Sequence, residues 1–293
     1  MRLRGAVVVA ALLLGGCGPE PVGSGRVESG EVRWVADGAP DRLIGGPQGG
    51  EGQFAVKCGL SHLAPDDPIV HPDHPGFSHL HQFFGAVGVD ANTTLEALYS
   101  AETTCNQALD RAAYWSPTLV DRSGETVTAE RIVAYYRAGP DIDPESVESF
   151  PPGLMMVAGN SSALEPQPLE IVSWSCGPSL DRSIRPMDCS TSGTLRLNVM
   201  FPDCWNGRLL AAIPGELHVA YSSAGLCPDG FDVPIPQLHL AVEFPSLNPA
   251  GLSLSSGDIL TAHADFWNGW DPDKLEREVR QCINRSLACS VVN

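Results

Sequence analysis

The sequence predicts a mainly β fold, a β-sandwich or related double sheet with long loops and a C-terminal helix. Three observations lead there. Segments alternate apolar and polar residues with the period of a strand: Leu195, Leu197, Val199 and Phe201 against Arg196, Asn198 and Met200, and Leu238, Leu240, Val242 and Phe244 against His239, Ala241 and Glu243. The 30 glycines and 25 prolines punctuate such runs as turns do. Helical periodicity is rare, and its best instance is terminal, where Asp271 fits an N-cap, Pro272 the first helical position, and Leu275, Val279 and Cys282 an apolar stripe. A third strand is expected where Leu217, Val219 and Tyr221 alternate with His218, Ala220 and Ser222. The stretch from Thr128 to Tyr136 reads as a short helix.

The N-terminus divides the chain. Arg2 and Arg4 precede an apolar run from Ala6 to Leu14. That run is far shorter than the ~20 apolar residues a membrane span needs, so residues 1–16 read as a secretory signal. The run ends in Leu14-Gly15-Gly16-Cys17, which resembles a bacterial lipobox. Cleavage before Cys17 would free a cysteine to carry several acyl chains, each methylene contributing ~0.8 kcal/mol of membrane affinity. The expected location is therefore extracytoplasmic, lipid-anchored to a bacterial membrane. Residues 17–52, rich in Gly and Pro, read as a tether, and residues 53–293 as one globular domain.

Composition narrows the partners. A hydrophobic share of 43% is enough for a real core. A formal charge of −17 argues against nucleic acid, whose phosphates need clustered Lys and Arg. There are nine cysteines, and setting Cys17 aside as the lipid site leaves an even set: Cys58, Cys105, Cys176, Cys189, Cys204, Cys227, Cys282 and Cys289. An even set in an exported chain reads as disulfides. Cys204 with Cys227 and Cys176 with Cys189 are the expected pairs, since each brackets a short stretch with turn residues.

Histidines carry the chemical signal. His79 and His81 are two apart, so a strand would place both imidazoles on one face. His263 and Asp265 repeat that spacing, opposite Ala262, Ala264 and Phe266. His218 projects opposite Leu217, Val219 and Tyr221. If these strands are neighbours, His79, His81, His218, His263 and Asp265 meet as a catalytic set. Chemistry has two uses for it. Neutral imidazoles with a carboxylate bind a divalent metal, with His79, His81 and His263 as ligands. Alternatively, a histidine oriented by Asp265 acts as general base. His71 and His74, among prolines, read as loop residues, and His62 and His239 as ordinary structural histidines.

Trp267 and Trp270 follow His263 closely, and Trp115 sits in Tyr114-Trp115-Ser116-Pro117. Flat aromatic faces suit sugar rings, so these three are the expected substrate contacts. Asp121, Asp203, Asp271 and Glu216 are candidate glycosidic acids, but no pair stands out by spacing. The chain has no GxSxG, P-loop, GxGxxG after a strand, or HExxH.

A family resemblance joins several of these segments. Ser78-x-His79-x-His81 followed by Phe83-Phe84-Gly85, Tyr114-Trp115-Ser116-Pro117, Tyr135-Tyr136, and Phe150-Pro151-Pro152-Gly153 through Met156 to Gly159 form its first half. Phe201-Pro202-Asp203-Cys204-Trp205-Asn206-Gly207, His218-Val219-Ala220-Tyr221, Cys227-Pro228 and His263-Ala264-Asp265-Phe266-x-Asn268-Gly269-Trp270 complete it. Together, over roughly residues 55 to 285, they resemble the domain-of-unknown-function family nineteen-ninety-six. The resemblance implies a secreted protein with one domain in a polysaccharide setting, because members are sometimes joined to carbohydrate-binding WSC modules. It supplies no reaction. The His71-Pro72-Asp73-His74 stretch departs from the simpler loop expected of that family.

These readings converge on a surface-tethered protein acting on polysaccharide or another extracellular glycan as hydrolase or lyase. A non-catalytic carbohydrate-binding lipoprotein and a metal-dependent esterase or phosphoesterase remain open beside it. The anchor is directly testable. Cys17→Ala should leave the precursor uncut or release the protein from membranes. Correctly processed Cys17→Ala protein that stays membrane-bound in fractionation would contradict the lipobox reading.

Overall fold

The computed structural model describes residues 52–191 and 193–290, so the signal, Cys17 and almost all of the tether lie outside the described residues. The fold is built on one long strand, β1 (Gln53–Ala64). Its first half pairs antiparallel with β4 (Arg131–Arg137), from Gln53 opposite Arg137 to Gly59 opposite Arg131. Its second half pairs antiparallel with β2 (His81–Gly85), from Leu60 opposite Phe84 to Ala64 opposite His81. The register shifts between Leu60 and His62. A bulge there bends the strand and carries it from one sheet into the other.

Outward from β2 come β3 (Ala113–Pro117), β9 (His263–Trp267) and β5 (Met155–Gly159). Outward from β4 come β8 (Gln237–Pro245), β7 (Thr194–Met200) and β6 (Val172–Cys176). A short β10 (Ala288–Ser290) runs parallel to the start of β1. At the far side β5 comes up beside β7, so the two sheets form a nearly closed sandwich. The expected fold class holds.

The interior is filled by alternate residues of both sheets, among them Phe54, Val56, Ile132, Leu197, Leu240 and Val242 from one, and Phe84, Tyr114, Ala264 and Phe266 from the other. Burying each large side chain contributes ~1.5–3 kcal/mol. At the centre Trp270 donates its ring N–H to the Tyr136 hydroxyl (3.1 Å), Tyr136 and Tyr114 share a short hydrogen bond, and Tyr114 donates to Asp110 Oδ2 (2.9 Å). This polar chain lets three large rings stay buried with their donors used.

Four disulfides close the domain: Cys58–Cys105, Cys176–Cys189, Cys204–Cys227 and Cys282–Cys289. Both expected pairs are among them. Helix α2 (Pro272–Glu278) begins as expected, with the Asp271 side chain accepting from the Lys274 N–H, and continues into a π-helical turn, Val279–Ile283.

Two expectations are corrected. Thr128 to Tyr136 is not helical; Arg131–Arg137 is strand β4, hydrogen-bonded on both sides by β1 and β8. Ile132, Ala134 and Tyr136 face the core at a strand's period of two, and two flanking ladders outweigh a local helical pattern. The strand expected around His218 shrinks to Val219–Ala220. Leu217 is exposed, so that alternation does not mark a core face.

The outer faces matter for function. The outer face of the β2–β3–β9–β5 sheet carries Phe83, Trp115 and Trp267 under a covering segment that includes α1 (Leu95–Ser100). That of the other sheet carries a buried polar layer of Arg196, Asn198, His239 and Glu243.

Two predictions follow from this packing. Burial raises the Asp110 carboxyl to about 7, opposed by hydrogen bonds from the Ala112 N–H and the Tyr114 hydroxyl. The folded value exceeds the unfolded one of ~4, so this group's stabilising contribution is full below about pH 4 and is lost as pH rises towards 7. The stability of wild type relative to Asp110→Asn should therefore fall by roughly 2–3 kcal/mol between about pH 5 and pH 8 in chemical denaturation, where a flat difference would count against it. Gly159 has φ 86°, and a Cβ there would lie 2.6 Å from the Ala262 carbonyl oxygen and 2.8 Å from the His263 Cα. Gly88, at φ 76°, has open space around it. Gly159→Ala should cost more than the roughly 1–3 kcal/mol of left-handed strain that Gly88→Ala shares, and equal melting temperatures for the two would contradict the close approach.

Candidate metal centre

Strand register assembles this site. Asp265 pairs with Trp115, and Trp115 with Phe83, so the three form one row across β9, β3 and β2. Directly paired residues share a face. Two residues along, towards the same end of the sheet, come His263 on β9 and His81 at the start of β2. His79 precedes β2 and folds back onto the same patch. The ring centroids are 4.2 Å apart for His79 and His81, 5.0 Å for His79 and His263, and 5.8 Å for His81 and His263.

Backbone carbonyls fix two tautomers. His81 Nδ1 lies 2.9 Å from the Asp66 carbonyl oxygen, and His263 Nδ1 lies 2.8 Å from that of Thr261. A carbonyl can only accept, so each Nδ1 carries the proton and each Nε2 keeps its lone pair. This is how proteins usually orient a metal-binding imidazole. His81 Nε2 and His79 Nε2 are buried without a hydrogen-bond partner. So are both carboxylate oxygens of Asp265, a residue with 0% exposure.

A further carboxylate comes from the covering segment. Asp67 is buried, with Oδ1 accepting from the Ile69 and Val70 N–H groups at 3.0 and 2.9 Å. Two sets of potential ligand atoms result, each lying within 4.8 Å of one another: His79, His81 and His263, and Asp67, His81 and Asp265. His81 belongs to both. Cys58, Cys105 and Asp110 are as close, but the two sulfurs are joined in a disulfide and cannot ligate.

Burial dominates the electrostatics. It lowers His79 to about 4, helped by the neighbouring His263 and His71. It holds His81 well below the usual imidazole range, with His79 and His263 adding to the effect, and lowers His263 against the opposing Thr261 carbonyl. It drives Asp265 well above the carboxylate range, with Asp67 adding repulsion. The imidazoles are thus neutral, as ligands must be. A divalent cation among them would reverse the pressure on Asp265 by supplying the missing charge. Three imidazoles with a carboxylate fit Zn²⁺ and the neighbouring transition metals better than Ca²⁺ or Mg²⁺, which favour all-oxygen sets.

The other expected site residues fall elsewhere. His218 Nε2 donates to the Met155 carbonyl oxygen (2.6 Å), at the other end of β5. Met155 pairs with Trp267, whereas Gly159 pairs with His263. His218 therefore sits roughly 13 Å along the strand from the cluster and does not join it. Trp115, Trp267 and Trp270 are buried, and no face is offered to a sugar. Trp115 stacks on Phe83 at 5.4 Å, and Trp270 completes the central polar chain. Their proximity in sequence to His263 reflects core packing on either side of β9. Asp271 caps α2, and Glu216 pairs with Arg208. His71 and His74 lie on the exposed loop beside Phe77.

Sequence reasoning missed Asp67. Its signal is only a buried acidic pair, Asp66-Asp67, after Pro65, and the contact with β9 is long-range.

The chain matches no curated protein and no solved structure. A family model described as Domain of unknown function (DUF1996) matches residues 67–270, a span that begins at Asp67 and contains His79, His81, His263 and Asp265. That is more than half of the 293 residues, and the chain belongs to this family.

Proposed function

We propose that the chain is an extracytoplasmic, lipid-anchored metalloenzyme that acts on glycan as a hydrolase or lyase, with a divalent ion held by His79, His81, His263 and Asp265. The observation that carries the metal is Asp265, whose buried carboxylate has no donor and lies within ligating distance of His81, an imidazole of fixed tautomer that also belongs to the three-histidine set. Such a carboxylate is costly alone and favourable beside a cation. A bound divalent ion would supply Lewis acidity to a substrate oxygen or water. His79 is the least buried of the three histidines, so substrate would approach from its side.

Four disulfides accord with an oxidising compartment. The glycan reading draws on the polysaccharide setting that family resemblance implies. Burial of Trp115, Trp267 and Trp270 removes the expected sugar platform and favours a second reading, metal-dependent cleavage of acyl or phosphoryl esters at the same centre.

The metal is tested on purified protein stripped with chelator and reloaded with Zn²⁺, Mn²⁺, Fe²⁺ or Cu²⁺. Elemental analysis should give about one ion per chain, and metal at ~100 times its Kd should add ~2.7 kcal/mol of stability. Asp265→Asn should melt a few degrees higher than wild type when metal-free and lose most of the metal-induced gain. Loss of stability in metal-free Asp265→Asn, with metal uptake unchanged, would make Asp265 structural. Release of reducing ends from polysaccharides, against hydrolysis of acyl and phosphoryl esters, distinguishes the two reactions.

A further inference from the structure

A cavity lies on the outer face of the other sheet, with a volume of about 540 Å³. Arg137, Arg182, Gln237, His239, Asn198 and Asp203 line it, with Leu169, Leu180 and Tyr221 adding apolar surface. The walls belong to β4, β6, β7 and β8 and the loops beside them, and none of the metal-centre residues contributes.

The polar groups of this cavity are locked by one another. His239 Nε2 lies 3.0 Å from Asn198 Oδ1, and the Asn198 amide donates to Ser175 Oγ (3.0 Å) and to the Ser173 carbonyl (3.3 Å). The amide orientation makes His239 Nε2 the donor, which leaves Nδ1 as an acceptor with no partner among the described residues. Tyr135 stacks on the His239 ring at 5.3 Å.

The charges leave Arg182 without an ion pair among the described residues. Glu243 is shared by Arg131 and Arg196 and is fully used by them. Asp203 accepts from the Ser222 N–H (2.7 Å) and hydroxyl (2.6 Å). Arg182 donates only to Ser175 Oγ (3.2 Å) and has no carboxylate partner among the described residues. Arg196 and Arg137 both press on it with like charge. The lining holds Arg137 and Arg182 with Glu170 and Asp203; counting Arg131, Arg196 and Glu243 beside it, this face carries four arginines against three carboxylates, in a chain with 18 basic against 35 acidic residues.

We infer that this cavity is a binding site for a small polyhydroxy carboxylate, such as a uronic acid unit, with Arg182 taking the carboxylate and Asp203, Gln237 and His239 Nδ1 taking hydroxyls. A guanidinium fork matches a carboxylate in shape as well as charge. Acceptors beside a cation select hydroxylated anions over bare ones. The volume suits a ligand of one or two sugar rings. The inference does not depend on the metal centre.

Calorimetric titration of the full mature protein with galacturonic acid is the test, with galactose and inorganic phosphate as comparators, each on metal-stripped and metal-loaded protein. Galacturonate should bind in both states, galactose and phosphate at least about tenfold more weakly, and Arg182→Gln should weaken galacturonate at least about tenfold with the melting temperature retained. His263→Ala should leave that binding unchanged. If Arg182→Gln fails to fold, His239→Gln serves, with the same expected loss. The inference is overturned if galacturonate does not bind at millimolar concentration, if galactose binds equally well, if phosphate binds as tightly so that the cavity takes an adventitious ion only, or if the folded variants bind like wild type.

Discussion

Taking the Asp265 carboxylate out of water costs several kcal/mol unless a cation or a set of donors compensates it. No donor reaches it among the described residues. Around it the protein has placed another buried carboxylate, Asp67, and three imidazoles kept neutral by burial. As a purely structural arrangement this concentrates unfavourable terms in one small volume. As a ligand set it is ordered, because each unfavourable term is a lone pair or a charge waiting for a cation. The backbone carbonyls of Asp66 and Thr261 complete the design by holding the two buried rings in the ligating tautomer.

Strand geometry makes that placement possible. The bulge in β1 passes the chain from one sheet to the other, and each sheet then has an inner face that fills the common core and an outer face free for polar work. On one outer face the row through Asp265, Trp115 and Phe83 sets His263 and His81 at the same end. On the other, Asn198, Gln237 and His239 floor a cavity. The positive φ of Gly159 lets the edge strand β5 close against His263 without a Cβ in the way.

Much of this was legible in the sequence because it rests on period-two alternation. The two long strands β7 and β8, the shared face of His263 and Asp265, and the pairing of Cys176 with Cys189 and Cys204 with Cys227 all follow from local spacing. What was not legible depends on contacts between distant segments. Arg131–Arg137 took its strand state from β1 and β8 on either side. His218 carries the same local pattern as His263 but lies at the other end of β5. The tryptophans next to His263 suggest a binding surface by local sequence alone, yet aromatic residues flanking a central strand are as readily core, and Trp267 and Trp270 are buried. Asp67 and the Arg182 cavity arise only once loops fold over the sheet faces.

The central claim is that His79, His81, His263 and Asp265 hold a metal. X-ray absorption at the metal edge, on protein purified without added metal or chelator, reads the ligands directly. The account predicts a single site with about three imidazole nitrogens at ~2.0–2.1 Å and oxygen completing the shell. A sulfur-ligated shell, an all-oxygen shell, or protein that neither contains nor takes up a transition metal would contradict it.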